Sequence, residues 1–188
     1  MDTSKKTKLA IFDLDGTLFN TDNVNYKAYR EALRPFGVEL DREYFVKYCN
    51  GRHYKEFVPK IMGNSDHLEA VHDKKKEYYK TFLDEAVMNS HLFSIIDALR
   101  EKYYTAVVTT ASRKNVEDIL SRFGVTDFFD YCITQEAIHK PKPDPEGFLL
   151  AMEHFGIAPA DTVIFEDSDV GIEAARASGA TVFVADKF

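Results

Sequence analysis

Two aspartates two residues apart, Asp13 and Asp15, stand directly after the apolar run Leu9 to Phe12 in the stretch "KLAIFDLDGTLFNTD". Side chains so spaced on extended chain point the same way, so these carboxylates lie close and repel unless a cation or a shared proton comes between them. Farther along, Thr109 and Thr110 follow the apolar segment ending at Val108, Lys140 lies in the loop "HKPKPDP", and Glu166-Asp167 follow "VIF". If each set leaves a strand of one parallel sheet, all share the edge where open α/β sheets bind ligands. Carboxylates gathered there raise one another's pKa, and a hard dication with oxygen ligands removes that penalty; magnesium is the natural candidate. Lys140 suits a transferring phosphoryl group, and Thr109 offers a hydroxyl to one of its oxygens. On this reading Asp13 attacks phosphorus and becomes an aspartyl phosphate, while Asp15 protonates the leaving oxygen and then activates water.

The elements that must position these residues follow an α/β pattern. Leu9 to Phe12, Tyr104 to Val108, Tyr131 to Thr134, Thr162 to Phe165 and Thr181 to Ala185 are short apolar strands, the mark of a parallel sheet covered on both faces. Helices between them run over Ser94 to Lys102, Arg113 to Phe123, Glu146 to Phe155 and Gly171 to Ser178, with Gly124, Gly156 and Gly179 as stops. Between Asn20 and Asn89 the pattern is helical and shows no convincing strand: Val24 to Phe36, Asp41 to Tyr48, Tyr54 to Met62 and about Asp66 to Leu83. Asp144 fixes the turn before Glu146, and Asp169 suits the dipole of the last helix.

Composition narrows the function classes. The chain has 188 residues, 45% of them hydrophobic, enough for one substantial core with a small appended domain. A formal charge of -7 argues against nucleic-acid partners and acidic membrane surfaces. The opening "MDTSKKTK" lacks an apolar leader segment and no run is long enough to span a bilayer, so a soluble, cytoplasmic monomer is expected. The two cysteines, Cys49 and Cys132, lack metal-type spacing and read as buried thiols.

Taken in order, "DLDGT" at Asp13 to Thr17, Thr109 of "VVTTAS", Lys140 of "KPKPD" and Glu166-Asp167 of "VIFEDSDVGIEAA" make nearly the whole chain resemble the haloacid dehalogenase superfamily. Within it, the resemblance is to the beta-phosphoglucomutase-like and phosphoglycolate phosphatase-like subgroup. It implies a Rossmann-like parallel sheet over residues 1–19 and 90–188 with an inserted, all-helical cap over 20–89 that closes on the site. It further implies Asp13 as nucleophile and Asp15 as general acid and base. The implied metal ligands are the Asp13 carboxylate, the Asp15 carbonyl and Asp167, with Glu166 joining directly or through water. In the cap, Arg52 and His53 of "NGRHYKEF" fall where the family places substrate recognition, Lys75 matches a lysine that such caps aim at the site, and Thr110 completes the substrate contacts. Asn25 stands where the mutase pattern has a histidine and cannot shuttle a proton. The leading expectation is a magnesium-dependent phosphatase of a small phosphorylated metabolite such as a sugar phosphate. A phosphohexomutase is the alternative; a receiver-type signalling domain and a noncatalytic binding protein rank below it, as does a metal-free dehalogenase.

Overall fold

The computed structural model describes residues 6–185; the opening MDTSK and residues 186–188 lie outside it. The five apolar runs form β1 (Lys8–Phe12), β4 (Tyr103–Val108), β5 (Tyr131–Ile133), β6 (Thr162–Glu166) and β7 (Thr181–Val184). They make one parallel sheet in the order β5-β4-β1-β6-β7. The chain builds outward from β1 to β5, then returns to the other side of β1 for β6 and β7. This places the sheet's switch point, where such folds bind ligands, beside β1.

β1 shows why the run is continuously apolar. Its Leu9 and Ile11 pack on one face with Phe148 and Met152 of α7 (Glu146–Phe155) and Ala174 of α8 (Asp169–Ala177). Ala10 and Phe12 pack on the other with Phe93 and Ile96 of α5 (Ser90–Leu99) and Val116 and Ile119 of α6 (Arg113–Phe123). Both faces of a central strand are therefore core, which removes the polar alternation of a half-buried strand.

Four helices lie between β1 and α5 in the chain: α1 (Asp22–Leu33), α2 (Arg42–Tyr48), α3 (Tyr54–Met62) and α4 (Leu68–Thr81). They bury a core of their own around Leu33, Phe45, Phe57, Val58 and Val71. Asp41 caps α2 by accepting from Tyr44 N–H at 2.8 Å. The strand-free expectation for this segment is corrected: β2 (Phe19–Asn20) and β3 (Val87–Met88) pair antiparallel where the chain leaves and re-enters the sheet region. Two-residue strands are too short for alternation to reveal them. α5 likewise starts four residues earlier than predicted, because Asn89 caps it by accepting from Leu92 N–H at 3.1 Å. Among the described residues no helix is long and apolar enough to cross a membrane.

Candidate active site

The carboxyl edge of the sheet collects the acidic side chains. Asp13 continues β1, its N–H bonded to the Phe165 carbonyl of β6 at 3.0 Å, and β6 itself ends at Glu166. One carboxylate oxygen from each of Asp13, Glu166 and Asp167 lies within 4.8 Å of the others. A buried ammonium enters this group: Lys142 Nζ donates to Asp13 Oδ1 at 2.5 Å, to Glu166 Oε2 at 2.6 Å and to the Val108 carbonyl at 3.3 Å. Burial, then Glu166, pushes the Asp13 carboxyl well above the usual carboxylate range, with Lys142 pulling it back. Burial and Glu166 also push Asp167 up to about 7. Three clustered carboxylates face one ammonium, an arrangement short of positive charge.

The lysine of this cluster is thus Lys142, which corrects the expectation of Lys140. Lys140 is exposed, and its backbone N–H, with that of His139, is held by the Glu146 carboxylate on the outer side of the loop. The loop's register is set by α7. Asp144 accepts from Glu146 N–H at 3.0 Å and donates its own N–H to the Pro141 carbonyl at 3.0 Å, leaving Lys142 as the residue turned inward. The signal was present, since Lys142-Pro143-Asp144-Pro145 repeats the Lys-Pro-x-Pro pattern directly against the helix.

Glu166 is completely buried, with both oxygens engaged. Oε2 meets Lys142, while Oε1 accepts from Ser168 Oγ at 2.8 Å, Ser168 N–H at 3.1 Å and Asp167 N–H at 3.2 Å. Its room comes from Gly171, where a Cβ would stand 2.1 Å from the Glu166 carboxyl carbon. Gly171→Ala, which on an open helix would stabilise by about 1 kcal/mol, is expected here to destabilise by about 1–3 kcal/mol by overpacking. A thermal melt at or above the parent's would show that Glu166 is not held as described. Gly16 is constrained from the other side: its φ is +93°, and a Cβ there would meet Asp167 Oδ2 at 2.1 Å. Asp167 Oδ1 accepts from Thr17 Oγ1 at 2.8 Å.

Asp15 is half-buried at the rim. Its Oδ1 accepts from the Thr21 hydroxyl and from Asn25 Nδ2 at 3.0 Å, while Oδ2 takes no hydrogen bond among the described residues. It lines a cavity of about 50 Å³ between the four helices and the sheet edge. Asn25, Arg52, Lys75 and Thr110 line the same cavity. Lys75 is buried over the rings of Tyr79 (4.6 Å) and Tyr29 (5.3 Å), with no ion pair among the described residues; burial lowers it to about 8, opposed by Asp15. Two expected residues fall elsewhere. Thr109 is buried, its hydroxyl accepting from Ala111 N–H at 3.0 Å, and it is Thr110 that lines the cavity. His53 caps α3 by accepting from Lys55 N–H and faces an adjoining outer groove. Ser112 and Tyr54, inside the quoted motifs but not singled out there, line the cavity too, as do His72 and Gln135, which no sequence motif announces. Cys49 also lines it, yet burial pushes its thiol up to about 11 and keeps it protonated.

A family model described as haloacid dehalogenase-like hydrolase matches residues 10–185. The chain is 30% identical over 171 residues to the fructose-1-phosphate phosphatase YqaB of Escherichia coli K12, covering 90% of this chain and 91% of that one. It is 25% identical over 183 residues to the beta-phosphoglucomutase of Bacillus subtilis 168, covering 92% and 80%. The crystal structure of CbbY from Rhodobacter sphaeroides in complex with phosphate superposes with a TM-score of 0.87 at 26% identity, covering 97% of this chain and 87% of that one.

Proposed function

The chain belongs to the haloacid dehalogenase-like hydrolases, and from that premise we propose that it is a magnesium-dependent phosphatase of small phosphorylated metabolites such as sugar phosphates. The observation that carries this reading is the contrast between its two neighbouring aspartates. Asp13 is buried against Lys142, whereas Asp15 opens onto the cavity with one oxygen tied by Thr21 and Asn25 and the other free. A buried, cation-paired carboxylate suits nucleophilic attack, and a rim carboxylate with one free oxygen suits proton transfer.

In the first step an Asp13 oxygen bonds to phosphorus while the bond from phosphorus to the leaving oxygen breaks, and Asp15 gives that oxygen its proton. In the second step Asp15 takes a proton from water, the water oxygen attacks phosphorus, and the bond to Asp13 breaks to release phosphate. Lys142 spreads positive charge along the Asp13 and Glu166 oxygens, and Glu166 acts by holding that lysine. The oxygens of Asp13 and Asp167 and the deficit of positive charge fit a hard dication, with Asp15 contributing its carbonyl. When bound, the ion supplies charge neutralisation to the phosphoryl oxygens. Residues 20–89 serve as a cap on the core of 1–19 and 90–188. A cavity of about 50 Å³ is tight for a sugar phosphate, and opening of the helices would widen the way in. Lys75, Arg52 and Thr110 are then placed to hold the substrate. The reading extends to a monomer acting in the cytoplasm on a diffusible substrate.

The test is phosphate release from fructose 1-phosphate, glucose 6-phosphate, phosphoglycolate and p-nitrophenyl phosphate, with magnesium and with chelator. Metal-dependent release supports the phosphatase. Conversion of hexose 1-phosphate to 6-phosphate without release would favour the mutase, against which Asn25 counts.

The raised carboxylates also predict how stability follows pH. A carboxyl whose folded pKa lies above its unfolded value lends stability at low pH and loses it as pH rises through the folded pKa, near 7 for Asp167. The metal-free protein is therefore expected to melt lower as pH rises from 5 to 8, and added magnesium to raise the melting temperature more at pH 8 than at pH 6. Equal increments at both pH values would contradict the cluster as the metal site.

A further inference from the structure

The cavity has a second polar wall, away from the carboxylates. His72 on α4 and Gln135 in the turn after β5 meet there, their Nε2 atoms 2.7 Å apart, and both line the cavity. Tyr54 of α3 stacks flat on the His72 ring at 3.7 Å and 7°, and its hydroxyl donates to the Glu69 carboxylate at 3.1 Å. The imidazole is thus fixed in place by three elements. It is 5% exposed, and its Nδ1 has no partner among the described residues. Buried polar atoms in folded proteins nearly always have partners, so an orphan nitrogen on a cavity-lining residue asks for one.

Lys75 lies one turn from His72 on the same face of α4, so that helix presents a cation toward Asp15 and an imidazole toward Gln135. Burial, then Lys75 and Lys76, lowers His72 to about 3, with Asp73 opposing and His53 adding to the fall. The ring is therefore neutral: with the Gln135 amide donating to its Nε2, Nδ1–H is the ring's remaining donor and the Gln135 amide oxygen is the pair's acceptor, and a donor beside an acceptor matches a hydroxyl. Resting on the phosphatase reading, we propose that His72 and Gln135 determine substrate specificity together, hydrogen-bonding a hydroxyl at the end of the substrate remote from its phosphate. A polar pair built for a hydroxyl discriminates strongly, because a substrate lacking that group leaves the pair unsatisfied.

The test compares kcat/KM for fructose 1-phosphate with that for p-nitrophenyl phosphate, which has no hydroxyl to read. His72→Phe keeps the stack on Tyr54 and removes both nitrogens; Gln135→Leu removes the partner. In each variant the ratio of the two kcat/KM values is expected to fall by at least about ten-fold. A ratio within about two-fold of the parent's, with both substrates losing equally, is what a merely structural cap contact gives and would overturn the inference. A second readout uses Asp13→Asn protein carrying ¹⁵N-histidine. The His72 ring resonances are expected to shift on saturation with fructose 1-phosphate and to stay put with inorganic phosphate. A His72 signal unmoved by the bound sugar phosphate would overturn the inference. If the intact protein hydrolyses neither ester, the phosphatase reading falls, and the ring resonances still decide whether His72 reads a sugar phosphate.

Discussion

Replacing Asp13 by Asn is expected to reduce phosphate release by roughly 10⁴-fold or more, the scale seen when a covalent nucleophile is removed. The fold should survive. In the parent, burial and the neighbouring Glu166 and Asp167 disfavour the charged form of Asp13, so its ionisation near neutral pH costs stability. A neutral amide of the same shape removes that cost and can still accept from Lys142 through its oxygen. The melting temperature at pH 7 is therefore expected to equal or exceed the parent's. Turnover within about tenfold of the parent would mean that Asp13 is not the attacking group.

The second large effect separates two lysines two residues apart. Lys142→Met leaves Asp13 and Glu166 buried without their shared cation, and breaking such a pairing costs about 3–5 kcal/mol. It should also lower kcat by about 10²–10³-fold, the usual loss when one charge-stabilising donor is removed. Lys140→Met removes only an exposed side chain, and its stability should stay within about 0.5 kcal/mol of the parent with turnover unaltered. Paired urea titrations and initial rates on the two variants decide it. An inactive Lys140 variant beside an active Lys142 variant would reverse the assignment drawn from the geometry.

Much of the fold was legible because the sheet imposes its period on the sequence. Each of the five core strands is a short apolar run, and Gly124, Gly156 and Gly179 close the helices that cover them. The acidic residues were legible for the same reason: a parallel sheet puts the residues after β1 and β6 side by side at one edge. What escaped depends on register or on contacts across the chain. Two overlapping Lys-Pro-x-Pro patterns compete; the second abuts α7, and the hydrogen bonds of Asp144 ahead of that helix leave its lysine, Lys142, turned inward. Thr109 and Thr110 differ by one position, which in extended chain means opposite sides, and the structure gives the cavity to Thr110. His72 and Gln135 lie 63 residues apart, so no local pattern joins them. β2 and β3 are paired by chain closure at two residues each, below the length at which a strand declares itself.

The claim at the centre is a covalent aspartyl phosphate at residue 13, and it can be read directly. Protein mixed with magnesium and fructose 1-phosphate is quenched in acid during turnover, reduced with borohydride and digested for mass spectrometry. Borohydride converts an acyl phosphate to an alcohol, so homoserine in place of Asp13, absent when chelator replaces magnesium, is the expected result. Phosphate release that proceeds while the peptide carrying Asp13 stays unmodified in every quenched sample would contradict the account.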